Sequence, residues 1–426
     1  MSRTRQVLVL ADDITGANDT AVQFARSGWR AYLALTQAGM GVLDEEQVVV
    51  ARSLGTRAES AEAAAARTEL AVVERGAGRH VYLKIDSTMR GSVAGQLAGA
   101  VRGKRTYEPE SFAVLCPAYP AMGRTVRNGE ILVDGEPAHR GPAGRDPITP
   151  INTSTLSELV PDGVRVPLMP DPADLAVAIN RAALHATCVV VDAESEADLD
   201  CLAQAIGHLG ERVVPAGSAG LAMALAARWG ASLPSRTATD EDTPEPAARH
   251  TAVVVSSQHQ AALDQVRATL TDLPASAIGS SVAAWEDVAS EEGTRRWAED
   301  VLAHDGRPIH LLQAPPLNRD RGGSGSDGPR VAKALADVVS RLADARPNDL
   351  ALVLVGGDGA AAVLSRLGAE ALRVTGALVE GVPVGTVVGG RHAGLRIATK
   401  AGGFGDNTTL TRIVSKLNPT LVGADQ

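Results

Sequence analysis

Aromatic residues are scarce: Phe, Trp and Tyr make up only 3% of the 426 residues. The interior must therefore be built from Ala, Val and Leu, and the stacking platforms of single-strand nucleic-acid binders are in short supply, which argues against a nucleic-acid partner. Cysteine is also rare. Cys116, Cys188 and Cys201 are an odd number at wide spacing, supporting neither a disulfide framework nor a metal knuckle and fitting a reducing cytoplasm. There is no excess of basic charge, since 41 Lys and Arg face 50 Asp and Glu for a net −9. This argues against a polyanion or an anionic membrane as the main partner, and any anionic ligand must be caught locally. No stretch of about 18 apolar residues occurs, and the opening run MSRTRQVLVLADD meets two acids almost at once, so neither a membrane span nor a signal peptide is expected.

What the chain does contain is a globular balance of 45% hydrophobic and 21% charged residues, over a length that suggests two domains. Short β-branched runs, QVLVLA, VYLKI, FAVLC and CVVVD early and AVVV and ALVLV late, alternate with Ala-rich helical stretches. That alternation predicts two α/β domains with mostly parallel sheets and an active-site cleft between them. The Pro- and acid-rich stretch from Ala231 to His250 reads as a linker. The expected organisation is a first domain over 1–232, a linker over 233–250 and a second domain over 251–426. A Gly/Ser-rich stretch from Asn318 to Arg330 reads as a mobile loop of the second domain.

Several strand ends carry polar clusters, and in open α/β sheets ligands gather there. The string A-D-D-I-T-G-A ends a strand in Asp12 and Asp13, with a helix beginning near Thr15 and Gly16. One acid can cap that helix, which leaves the other for chemistry. The string K-I-D-S-T-M-R-G-S places Lys84 and Asp86 on one strand face, followed by Ser87, Thr88 and Arg90. Such a cluster suits a polyhydroxy acid: Asp86 accepts from hydroxyls and the Arg90 fork holds a carboxylate. A Pro/Gly-rich loop from Cys116 to Gly135 brings Arg124 and Arg127 as further anion contacts. In the second domain ALVLV runs into Gly356, Gly357, Asp358 and Gly359, and Lys400 precedes Gly402 and Gly403. Glycine lets backbone approach a phosphate closely, although neither string is a Walker P-loop. No G-x-G-x-x-G follows the first strand, which disfavours a nicotinamide dehydrogenase.

Taken together, A-D-D-I-T-G-A, K-I-D-S-T-M-R-G-S, C-P-A-Y-P-A-M-G-R-T, the G-G-D-G turn and the T-K-A-G-G-F-G string resemble the four-carbon acid sugar kinase family, in order from Val7 to Asp406. The resemblance implies a first domain that binds a tetronate or oxo-tetronate and a second that binds ATP with Mg²⁺. Phosphoryl transfer to the C4 hydroxyl then needs positioning, charge screening and a carboxylate base. By position, Asp12, Asp13, Lys84, Asp86, Ser87, Thr88, Arg90 and Arg124 would line the acid site. Asp12, Asp13 and Asp86 would form the catalytic set, with either Asp12 or Asp13 as the base. Ser257, His259, Gly356, Gly357, Asp358, Gly359, Lys400, Gly402 and Gly403 would hold ATP. The ligands of the metal are left unassigned, and a homodimer is the default assembly for such an enzyme.

The chain departs from the family pattern on the nucleotide side. Where the family has G-S-x-S-x-x-T-x-x-Q, this sequence runs from Ser256 and Ser257 to His259, Ala262 and Gln265, and Gly359 replaces a Thr in the G-G-E/D-T turn. A catalytically weakened sugar-acid sensor is the rival reading that these changes raise.

Overall fold

The computed structural model describes residues 6–146, 148–230, 248–303, 306–316 and 327–418. Two compact units result, Met1–Leu33 with Gly41–Ser235, and Ala34–Met40 with Arg236–Gln426. Both are α/β, as the alternating runs predict.

The first unit begins with β1 (Gln6–Ala11), α1 (Ile14–Arg26), β2 (Arg30–Ala34), β3 (Val48–Ser53), α2 (Ala61–Arg75), β4 (His80–Lys84) and α3 (Val93–Arg105). It continues through β5 (Phe112–Cys116), a hairpin β6 (Arg124–Arg127) and β7 (Glu130–Val133) with the short β8 (Glu136–Pro137), α4 (Leu156–Leu159), β9 (Gly163–Val166) and α5 (Pro172–Ala183). The remaining elements are β10 (Cys188–Val191), α6 (Glu196–Leu209), β11 (Val213–Gly217) and α7 (Ala219–Gly230). The sheet order is β2-β3-β1-β4-β11-β5-β10-β9, and every pairing recorded from β3 to β9 is parallel. A parallel sheet covered on both faces demands unbroken apolar strands, which is why β1 and β5 are buried at every position. The few aromatics are concentrated: Trp29 packs edge-on to Phe24, and its indole N–H donates to the Ala226 carbonyl at 3.1 Å.

β1 lies between β3 and β4, so the chain runs to one side of β1 and then crosses back. Such a reversal opens a crevice at the carboxyl ends of the strands. The loops after β1, β3 and β4 all emerge there.

The second unit holds β12 (His250–Val255), α8 (Gln260–Asp272), β13 (Ile278–Val282), α9 (Trp285–Ala289), α10 (Glu291–Ala303), β14 (Ile309–Gln313), α11 (Asp327–Ala345), β15 (Leu350–Val355) and α12 (Gly357–Arg366). It closes with β16 (Ala371–Val379), β17 (Val382–Val388), β18 (Arg396–Lys400) and α13 (Thr409–Leu417). Strands β13-β14-β12-β15-β18 are parallel, whereas β17 and β16 continue the sheet antiparallel. The chain again reverses beside β12, between β14 and β15. Segment Ala34–Met40 belongs to this unit, with the Leu35 N–H donating to the Glu370 carbonyl at 2.9 Å.

Most of the proposed linker, residues 231–247, lies outside the described residues, and His250 opens β12. Of the stretch read as a mobile loop, 318–326 lies outside them too. Its last four residues form the first turn of α11, a correction explained by Ala332, Leu335, Val338, Val339 and Leu342, which bury one face of that helix.

Candidate functional site

Asp13 is the N-cap of α1: its Oδ1 accepts from the Gly16 N–H at 2.6 Å and its Oδ2 from the Thr15 hydroxyl at 2.8 Å. Asp12 is only 1% exposed and makes a different contact. Both of its oxygens face Arg57, with Nε at 2.7 Å and Nη2 at 3.0 Å, while Arg57 Nη1 reaches Asp13 at 2.6 Å. Arg57 also lies 3.8 Å from Asp86. One guanidinium thus ties together three carboxylates from two strand ends. Sequence reading missed Arg57, which stands in the loop after β3 with no motif around it.

The segment after β4 is built around Asp86. Its carboxylate accepts from the backbone N–H groups of Thr88 and Arg90, from the Thr88 hydroxyl, and from Nε and Nη2 of Arg90. These bonds hold Met89 at φ 62 even though it is buried. Arg90 Nη1 donates to Asp146 at 2.8 Å, so the fork expected to take a substrate carboxylate is engaged with Asp86 and Asp146. Lys84, 6% exposed, donates to the Ile85 carbonyl and stands beside Gly16 and Asp12. Ser87 is half-buried, and among the described residues its hydroxyl has no partner. Arg124 donates to the Met122 carbonyl and Arg127 pairs with Glu194.

Under similar burial the two strand-end acids are shifted in opposite directions. Burial pushes the Asp12 carboxyl above its ordinary pKa, with Arg57 and Lys84 opposing and Asp13 adding to the rise. Burial acts the same way on Asp86, but there Arg90 and Arg57, with the bonds from Arg90 and Thr88, hold it far below the carboxylate range. Arg57, half-buried, is held cationic by Asp12, Asp13 and Asp86. Asp12 and Asp13 thus form a clamped pair of which Asp13 is the more accessible, its side chain 24% exposed. Asp86 is saturated with donors and organises its loop.

In the second unit the turn after β12 meets the glycine segments after β15 and β18. Gly356 has φ 109, reachable by glycine alone at little cost, and its N–H donates to the Lys400 carbonyl. A Cβ on Gly402 would stand 1.9 Å from Ser257 Oγ, and one on Gly403 would stand 3.0 Å from the His259 ring. His259 caps α8, its Nδ1 accepting from the Ala261 N–H. That is the work of a cap hydroxyl, which explains how imidazole is accommodated there. The change at Gly359 also has a local reason: a Cβ there would lie 2.3 Å from Ser256 Oγ. Gly357 and Asp358 form the first turn of α12. Lys400, 1% exposed, ends β18 with its ammonium donating to the Ala401 carbonyl. A buried lysine whose backbone carbonyl bonds the glycine-rich start of α12 fits a polyphosphate site.

Each of the two α/β units carries a polar cluster at a strand-order reversal, and the matching family models divide the chain in the same way. A family model described as a sugar-binding N-terminal domain matches residues 7–225, and one described as a nucleotide-binding C-terminal domain matches residues 252–410. The D-threonate kinase of Bordetella bronchiseptica is 36% identical over 413 residues, 95% of each chain. The 3-oxo-tetronate kinase of Methylobacterium radiotolerans is 29% identical over 93% of this chain and 95% of its own. A solved structure from Salmonella typhimurium shares the fold with a TM-score of 0.77 at 23% identity, covering 96% of this chain and 98% of that one. The chain belongs to the four-carbon acid sugar kinase family and is a kinase. Among the described residues no helix is long and apolar enough to cross a membrane.

Proposed function

We propose that the protein transfers the γ-phosphoryl group of ATP to the C4 hydroxyl of a tetronate or oxo-tetronate, with the acid bound by residues 1–232 and ATP by residues 251–426. The reaction is assigned to the cytoplasm, where ATP is available. The observation that carries this reading is the Asp12/Asp13 pair clamped by Arg57 at the strand-order reversal of the first unit. Relatives named as D-threonate, 3-oxo-tetronate and D-erythronate kinases support a four-carbon sugar acid as the substrate.

Asp13 is the base, since it is the member of the pair that an incoming hydroxyl can reach, and phosphoryl transfer asks little more than orientation and proton acceptance. Asp12 and Arg57 hold it in place. Ser87 and Thr88 face the substrate hydroxyls, while Lys84, Arg57 and Arg90 supply the positive field for its carboxylate. Ser257, His259 and the glycines at 356, 357, 359, 402 and 403 seat the nucleotide, with Asp358 at the start of α12 and Lys400 balancing the phosphate charge. Mg²⁺, which would screen the phosphates, enters with the nucleotide; among the described residues no group of three acids, histidines or cysteines is placed to hold it.

The test is Asp13→Asn. Turnover should fall by about 10²–10⁴ with ATP affinity unchanged. Turnover near that of the parent would move the base elsewhere, and binding of a sugar acid with no phosphate transfer by the parent protein would favour a sensor.

A further inference from the structure

Lys84 and Lys400 close their strands in the same way. Each is buried, at 6% and 1% exposure, and each ammonium donates to the next residue's carbonyl, Ile85 at 2.8 Å and Ala401 at 2.9 Å. Their surroundings differ. Lys84 stands by Asp12, whose charged form it favours. Lys400 has no such counterpart: among the described residues it forms no ion pair, and two of its three N–H groups have no acceptor.

The neighbouring elements bear this out. Strands β15 and β17, which flank β18, carry no ionisable residue. Asp358 on α12 makes no ion pair with Lys400, and His259 is occupied as the α8 cap. On α8, Asp264 pairs with Arg267. Asp406, beyond the glycines, is engaged by Thr408, Thr409 and Arg412, and Lys416 of α13 donates to the Leu378 carbonyl. A buried ammonium without a counter-anion is costly, and the backbone carbonyl of the same residue accepts from the N–H of Gly356, the N-cap of α12.

We infer that the nucleotide's phosphates supply this missing anion and that their binding is coupled to protonation of Lys400. The inference rests on the second unit being the nucleotide site. In the free protein burial lowers the Lys400 pKa to about 8, so the amine is partly neutral in mildly alkaline solution. Phosphates favour the ammonium and draw a proton from solvent. Uptake should approach about one proton per site at pH 9 and be about a tenth of a proton at pH 7. By linkage, ATP affinity should weaken about tenfold between those values. Ordinary imidazoles and the phosphates of Mg-ATP are mostly deprotonated at pH 7 and contribute almost no uptake at pH 9.

Calorimetry of Mg-ATP binding to the full chain, without sugar acid, at pH 7 and pH 9 in pairs of buffers of different ionisation enthalpy, reads both quantities. Support is uptake at pH 9 with the tenfold weakening, retained in His259→Ser and lost in Lys400→Arg, whose charge is permanent. Lys400→Met should bind at pH 7 no better than the parent at pH 9, without uptake. Binding that ignores the buffer at pH 9, or uptake persisting in Lys400→Arg, overturns the coupling while leaving the nucleotide site standing. Absence of ATP binding at both pH values overturns the nucleotide site and the coupling with it.

Discussion

Asp12 and Asp86 are both buried acids facing arginines, yet their pKa values are shifted in opposite directions. The Asp86 pKa is depressed in the folded state, so its charge stabilises the fold above the ordinary carboxyl value near 3.8, and this is lost as pH falls through that range. The Asp12 pKa is raised, so its contribution has the opposite sign and its ionised form is held against the preference of the fold. Asp86→Asn should therefore lower stability by about 3 kcal/mol at neutral pH, the scale of a broken buried pair, and flatten the acid branch of a melting-temperature profile. Asp12→Asn should impair turnover with little loss of melting temperature; a loss matching that of Asp86→Asn would make the two acids equivalent. Arg57→Gln removes the common counter-charge of Asp12 and Asp13. The acid limb of its kcat profile should move to higher pH, whereas an unmoved limb with lower activity would reduce Arg57 to packing. Asp12, Asp13, Lys84 and Asp86 were legible because they cluster in sequence at strand ends. Arg57 was not, because β3 ahead of it was not read as a strand, and without that strand its loop has no reason to lie at the crevice.

Loops after β3 and β4 are held together by the helices that follow them. Gly95 and Gly99 of α3 pack against α2 so closely that a Cβ would stand 2.3 Å from the Ala61 carbonyl oxygen and 2.1 Å from that of Ala65. Gly91, at φ 86, lies under the Arg57 backbone, and Gln96 donates to the Thr56 hydroxyl at 2.6 Å. Gly99→Val must push the helices apart, costing about 1–3 kcal/mol or more and displacing Arg57 from its carboxylates. Thermal melts and turnover should fall together; a normal melt would mean that the contact yields freely. In the second unit, Gly359→Thr should destabilise by clashing with Ser256, and Ser256→Gly in the same chain should restore the loss. Additive damage would show that the two positions do not share space. Glycine spacing in α3 is visible in the sequence, but which backbone it lies against is not, since that depends on the pairing of two helices.

At the level of the whole molecule, two α/β units with mostly parallel sheets were legible because buried parallel strands must be continuously apolar. The antiparallel end of the second sheet escaped notice: β16 and β17 mix Gly, Thr and Pro with valine and lack the unbroken runs of β12 and β15. Nor does anything local in the sequence indicate that Ala34–Met40 joins the second unit. The central claim concerns what the two units do in one reaction, and one assay addresses it. ATP consumption should be followed over the C4 sugar acids and their 2- and 3-oxo forms, with the phosphorylated carbon located by ³¹P–¹³C NMR. The account predicts stoichiometric ADP and a phosphomonoester on C4 with at least one of these acids. ADP formation with none of them, or phosphate on another carbon, would contradict it.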